Sequence, residues 1–261
     1  MNYRFCARTD TGRARDNNED SVVFDEATCT AVLADGMGGY NAGEVASGMA
    51  TTYIREELSR WLAQAGEQAR PREVRRAMEI CVENANRSIF RAAQINSQYA
   101  GMGTTLVMGV FRENAVLVGH IGDSRCYRLR GPQLQQITRD HSLLQEQMDA
   151  GLITPEQAAT SSIKNLVTRA MGVEDLVLLE VNEFPVENGD VYLMCSDGLS
   201  DMVDDATIAK ILAAAHSLEQ RADTLVATAN ENGGRDNISV LLVEAGDPVE
   251  KRGLFARLLG K

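Results

Sequence analysis

Apolar and polar residues alternate from Tyr3 to Arg8 and again from Ser21 to Asp25, and a more solidly apolar run covers Cys29 to Ala34; this predicts three short strands. The period then lengthens. Val45, Met49, Tyr53, Leu58, Trp61 and Leu62 recur at helical spacing behind Asn41-Ala42-Gly43-Glu44, a cap residue with its reciprocal acid. Pro71 opens a second helix with Val74, Met78, Cys81, Ala85, Ile89 and Ala92 on one face. Both stripes are packing faces. Period two returns over Thr104 to Phe111, Ala115 to Ile121, Cys126 to Arg130 and Gln133 to Ile137, broken by Arg112-Glu113-Asn114 and Gly131-Pro132, which predicts an antiparallel meander. Residues 140–168 carry two short helical signals, Ser142 to Ala150 and Pro155 to Thr160, with little core pattern, and are expected to form a surface flap. Strands follow at Leu176 to Phe184 and Asp190 to Cys195, then helices at Asp204 to Ala215 and Leu218 to Asn230 closed by Gly233-Gly234, then a last strand from Ile238 to Glu244. The expected class is α+β, with packed antiparallel sheets.

Four aspartates sit where this pattern places strand ends. The run Thr30 to Ala34 delivers Asp35 into Asp35-Gly36-Met37-Gly38-Gly39, Gly122-Asp123 follows another strand, Ser196-Asp197-Gly198 a third, and Arg235-Asp236-Asn237 opens the last. Asp-Gly after one strand is ordinarily a turn. Four such carboxylates gathered at one rim would repel, and a divalent cation would relieve that repulsion. Glycine leaves main-chain carbonyls uncovered, and carboxylate plus carbonyl oxygen suits Mg²⁺ or Mn²⁺. Two such ions roughly 3.5 to 4 Å apart would generate hydroxide in line with a phosphoryl group. The loop Thr9-Asp10-x-Gly12-x-x-Arg15-x-x-Asn18-Glu19-Asp20 supplies a guanidinium, Arg15, suited to bidentate phosphate binding.

Composition narrows the function. The chain has 261 residues and 44% hydrophobic content, enough for a full core, and 37 acidic against 26 basic side chains leave a net charge of -11, which argues against nucleic acid. No apolar run is long enough to span a membrane and no leader is evident, so a cytoplasmic protein without stable membrane insertion is expected. The five cysteines form no C-x-x-C, and Cys29, Cys81 and Cys195 are expected as reduced core residues. Cys81 to Arg87 matches C-x₅-R, the spacing of thiol-nucleophile phosphatases, yet it lies in a helical pattern without the glycine-rich loop that chemistry needs, and is read as coincidence. The domain is expected to cover 1–246. The basic, faintly amphipathic tail 247–261 is expected to fray or dock on the body.

Seven motifs stand in order from Tyr3 to about Glu244: Thr-Asp-x-Gly-x-x-Arg-x-x-Asn-Glu-Asp-Ser, Ala-Asp-Gly-Met-Gly-Gly, Gly-Met-Gly-Thr-Thr, Gly-Asp-Ser-Arg, Thr-Arg-Asp-His-Ser, Ser-Asp-Gly-Leu and Gly-Arg-Asp-Asn-Ile-Ser. In this the chain resembles the bacterial metal-dependent protein phosphatases of the PPM (type 2C) family. The resemblance implies a central sandwich of two antiparallel sheets flanked by helix pairs, in four αββα layers. It implies that Asp35 bridges two catalytic Mn²⁺ or Mg²⁺ ions, with the Gly36 carbonyl, Glu19 or Asp20, Asp197 and Asp236 completing their shells and Asn237 supporting Asp236. Asp123 with Asp197 matches a third metal site, and Arg15 the phosphate-binding arginine. The implied reaction is hydrolysis of phosphoserine and phosphothreonine by metal-activated water without a phosphoenzyme, by a monomer acting on phosphorylated proteins and opposing a serine/threonine kinase. Met37 stands where many eukaryotic members have a histidine general acid; His120 and His141 are candidate substitutes, with a structural role as the alternative for both. Two rival readings are an inactive pseudophosphatase that binds phosphoprotein and another two-metal enzyme such as a phosphodiesterase or nuclease.

Overall fold

The computed structural model describes residues 1–38, 42–154, 157–158, 161 and 166–246. The cap at Asn41, most of the helical signal Pro155 to Thr160 and the basic tail lie outside them. Among the described residues eleven strands form two antiparallel sheets. The first has the order β1-β11-β10-β7-β8, from β1 (Asn2–Asp10), β7 (Arg125–Arg130), β8 (Gln133–Gln136), β10 (Val191–Cys195) and β11 (Ile238–Gly246). The second has the order β2-β3-β5-β6-β9, from β2 (Asp20–Asp25), β3 (Thr30–Met37), β5 (Leu106–Phe111), β6 (Ala115–Ile121) and β9 (Glu180–Pro185), with the short β4 (Gly103–Thr104) beside the end of β3.

Strand periodicity sorts side chains into three apolar layers. Tyr192, Met194, Leu241 and Val243 face Ala31, Leu33, Val107 and Phe111 between the sheets, while the alternate residues Leu193, Val240 and Leu242 face outward. Tyr3, Phe5, Phe111 and Tyr192 join in tilted and edge-on aromatic contacts within this layer. On one outer face, α1 (Ala42–Ala65) and α2 (Pro71–Ile95) cover Val32, Ala34, Met108 and Leu117. On the other, α4 (Asp197–Ser200), α5 (Asp205–Leu212) and α6 (Leu218–Glu231) cover Leu193, Val240 and Leu242; α3 (Leu143–Asp149) belongs to the flap. The expected four-layer sandwich is therefore present.

Four local expectations change. The meander divides: β5 and β6 pair in one sheet, β7 and β8 in the other, and Gly122-Asp123-Ser124 carries the chain across. The buried row of α1 is Ala46, Ala50, Ile54, Leu58 and Leu62, with Val45, Met49, Tyr53 and Trp61 only partly covered on its flanks. Close approach of α1 to the sheet requires the small residues. The strand expected from Leu176 begins at Glu180, since the ladder to β6 starts at the pair His120 and Glu180. Cys29 is half-exposed in a turn with φ 50°, not in the core.

At the end of the sandwich away from the site, Asp190 is 1% exposed and takes two hydrogen bonds from Arg130, from Nε at 2.8 Å and Nη2 at 2.7 Å, plus the Glu187 N–H at 2.9 Å. Burial raises its pKa, but these donors outweigh burial and hold it below the ordinary carboxylate value. A depressed folded-state pKa stabilises above the unfolded value, and that stability is lost as pH falls through the folded one. Asp190→Asn should therefore cost about 2 kcal/mol at pH 7, read as a lower Tm, and the gap from wild type should narrow as pH falls below about 4.

Candidate active site

The two sheets end together at one rim, and the acidic loops meet there. Asp20 stands directly opposite Asp35 in the β2–β3 ladder. The Asp35 peptide is fixed on both sides: its N–H donates to Thr105 Oγ1 at 3.0 Å, and its carbonyl accepts from the Thr105 N–H and Thr104 Oγ1, both at 2.9 Å. Gly36 is there because nothing larger fits. A Cβ would lie 2.2 Å from the Gly43 carbonyl oxygen and 2.5 Å from that of Glu19. Asp123 follows Gly122, which has φ 98° and whose Cβ would strike Thr105 at 2.8 Å. Asp197 begins α4, and Asp236 immediately precedes Asn237 at the start of β11.

Asn237 ties the N-terminal loop to this rim. Its Oδ1 accepts the Glu19 N–H at 2.8 Å, and its Nδ2 donates to the carbonyls of Asn17 at 2.8 Å and Thr11 at 3.0 Å. Only its backbone N–H serves Asp236, donating to Oδ1 at 2.8 Å. The supporting role expected for Asn237 thus falls mainly on the loop that carries Arg15 and Glu19. Arg15 extends over the rim and its Nη2 lies 2.7 Å from Asp236 Oδ2, with about half of the side chain (52%) exposed.

Electrostatics make the cluster costly without a counter-charge. Burial, then the nearby Asp20, Asp197, Asp123 and Asp236, pushes the Asp35 carboxyl well above its usual range. Burial followed by Asp123 and Asp236 raises Asp197 in the same way, and burial chiefly raises Asp20. Asp123 is pushed up to about 6 by burial, with Asp140 adding to it. Glu19 is raised by burial against an opposing pull from Arg15. Asp20 Oδ2 accepts from Ser196 Oγ at 2.8 Å, whereas its Oδ1 is buried with no hydrogen-bond partner among the described residues. An orphaned carboxylate oxygen among mutually repelling carboxylates is a donor set that fits a hard divalent cation.

The histidines have another use. Their rings stack with centroids 4.6 Å apart; His120 Nε2 meets the Arg139 carbonyl at 2.7 Å, and His141 Nδ1 accepts the Gly122 N–H at 3.1 Å. His141 Nε2 faces Glu180 Oε2 at 3.3 Å and Arg169 Nη1 at 3.5 Å. Burial, then His120, lowers the His141 pKa. The pair thus buttresses the turn before Asp123. Ligand atoms of the two histidines and Glu180 lie within 4.8 Å of one another, but the Gly122 N–H occupies one nitrogen of His141 and a guanidinium approaches the other. Sequence reading missed Thr105, Ser196 and this use of His141, because a hydroxyl or imidazole serving a neighbour's backbone has no spacing signature. Cys81 lies buried in α2 with its thiol pushed up to about 11, by burial first and Glu57 second, so C-x₅-R carries no thiolate chemistry.

The Protein phosphatase 2C family model matches residues 10–240. The serine/threonine phosphatase stp of Listeria innocua is 38% identical over 240 residues, covering 91% of this chain and 94% of that one. The crystal structure of the Mycobacterium tuberculosis serine/threonine phosphatase PstP/Ppp superposes with a TM-score of 0.85 at 35% identity, over 95% of this chain and 100% of that one. A structure of the PstP catalytic domain in complex with 2 manganese ions gives 0.82 at 36% identity, over 94% and 99% of the two chains. With the motifs in order, the αββα layers in place and its acidic strand ends gathered at one rim, the chain belongs to the protein phosphatase 2C family.

Proposed function

We propose that this protein is a Mn²⁺- or Mg²⁺-dependent serine/threonine protein phosphatase that hydrolyses phosphoserine and phosphothreonine in proteins and opposes a serine/threonine kinase. The observation that carries the reading is the meeting of Asp20, Asp35, Asp123, Asp197 and Asp236 at one rim beneath Arg15. The relatives named as serine/threonine phosphatases and the manganese-bound PstP structure support it.

In this reading Asp35, central to the cluster, would hold the two catalytic ions together with the Gly36 carbonyl, Glu19 or Asp20, Asp197 and Asp236, and Asp123 with Asp197 would hold a third. Bound there, the ions would supply Lewis-acid activation of water at neutral pH. The protein's own residues provide the rest. Thr104 and Thr105 hold the Asp35 peptide so that its carboxylate keeps one position. Arg15, half exposed and tethered among the described residues to Asp236 Oδ2, can release that contact and present its fork to phosphate oxygens. Met37 cannot donate a proton and both nearby histidines are engaged elsewhere, so the proton for the departing serine or threonine oxygen comes from solvent in the site.

Purified protein should hydrolyse a phosphothreonine peptide, lose that activity in EDTA and regain it with Mn²⁺; binding of Mn²⁺ without hydrolysis under any divalent cation would favour the pseudophosphatase. Asp35→Asn should reduce turnover to background, yet in EDTA it should melt above wild type, because one repelling carboxylate is gone. Arg15→Ala should raise KM for phosphopeptide about 10- to 100-fold with a smaller effect on kcat, the cost of one charge-assisted contact. An unchanged KM would remove Arg15 from phosphate binding.

A further inference from the structure

Among the described residues seven large apolar side chains are exposed, and three of them fall within six positions: Val173 at 55%, Leu176 at 69% and Leu178 at 81%. Single exposed apolar residues are ordinary, whereas a local group beside a catalytic rim points to a contact surface. The group is exposed by its own periodicity. Val177 and Leu179 pack on the core under α2, so Leu176 and Leu178, one position out of phase, face solvent.

The segment is held firmly. The fully buried Asn86 of α2 accepts the Gly172 N–H at 2.7 Å and donates to the carbonyls of Glu174 at 2.9 Å and Asp175 at 3.1 Å. It also borders the site at both ends. Met171 and Thr104 exchange backbone hydrogen bonds of 2.8 and 3.0 Å, and Thr104 is the residue whose hydroxyl grips the Asp35 carbonyl. Gly103 leaves a notch there: a Cβ on it would stand 2.9 Å from Val173 Cγ2 and 3.6 Å from Met37 Cγ, so Val173 and Met37 flank one gap. At the far end Glu180 pairs with His120 in β6, the strand that leads to Asp123. An apolar shelf therefore runs along the rim from the side of Asp35 to the side of Asp123.

We propose that Val173, Leu176 and Leu178 form a docking shelf for apolar side chains that flank the phosphorylated residue of a protein substrate. The inference rests on the phosphatase reading above. Continuity with the catalytic rim selects this occupant: Met37 is two strand positions, about 7 Å, from Asp35, and an extended peptide carries side chains two to four residues from its phosphothreonine over about 7 to 14 Å. A small phosphate ester reaches the carboxylates without touching the shelf.

The test compares wild type with Val173→Ser and with the double variant Leu176→Ser/Leu178→Ser, all with Mn²⁺, on three substrates. These are p-nitrophenyl phosphate, a phosphothreonine peptide with leucine and valine flanks, and the same peptide with serine and glycine flanks. Wild type should prefer the apolar peptide, and the double variant should lose about 10-fold in kcat/KM on it, mostly through KM, since two leucine contacts are removed. Rates on p-nitrophenyl phosphate and on the polar peptide should not change. Val173→Ser should act in the same direction with a smaller effect. Equal rates of wild type and double variant on the apolar peptide would overturn the shelf, as would a uniform loss on all three substrates. A wild-type dimer on size exclusion that the double variant abolishes would assign the surface to self-association instead. If wild type cleaves none of the three, the phosphatase reading itself fails.

Discussion

Carboxylates brought within a few ångströms of one another push apart, and at the rim of this sandwich the push must be resisted by the backbone. Asp35 is gripped through its peptide by Thr104 and Thr105, Asp20 is locked opposite it by the β2–β3 ladder, and Asp236 is fixed where β11 begins. Each grip traces back to the same layered core. The apolar layer between the sheets sets where their ends lie, and the rim inherits that position. The free energy invested in packing is thus partly held against electrostatic strain, and a counter-charge between the carboxylates releases it.

Few of the supporting groups are themselves acidic. Asn237 ties Thr11, Asn17 and Glu19 to the edge of β11, Ser196 shares its hydroxyl between Asp20 and the Ser239 N–H, and His141 receives the Gly122 N–H. Neutral hydrogen-bonding side chains suit the task because they hold peptides and carboxylates without adding charge to an overcharged place. Both the phosphate-facing loop and the turn of Asp123 depend on such contacts, which come from different layers of the sandwich.

Much of this architecture was legible in the sequence because strand alternation and helical spacing are strong here, and because the aspartates fall at element boundaries. The divided meander was not legible: Gly122-Asp123-Ser124 reads like a hairpin turn, and only the left-handed Gly122 sends the chain into the opposite sheet. The buried row of α1 escaped notice since alanine gives little hydrophobic signal, although Ala46 and Ala50 are what lets the helix lie close to β3. Leu176 to Leu179 alternate like a strand but have no ladder partner among the described residues before Glu180, so the pattern was right about facing and wrong about pairing. At the site, the choice between Glu19 and Asp20 was open in sequence; spatially Asp20 faces Asp35 across the ladder, while the Glu19 carboxylate lies against Gly43.

The first and last of the described strands, β1 and β11, pair with each other along their whole length, from Asn2 with Gly246 to Asp10 with Ile238. During synthesis β1 emerges first and waits for a partner that follows only after the other described strands of both sheets. Until β11 arrives, Asp236 and Asn237 are absent from the rim, the loop that carries Arg15 lacks its tie to Asn237, and the place between β1 and β10 is empty. A nascent chain that has not yet presented β11 therefore cannot assemble the site.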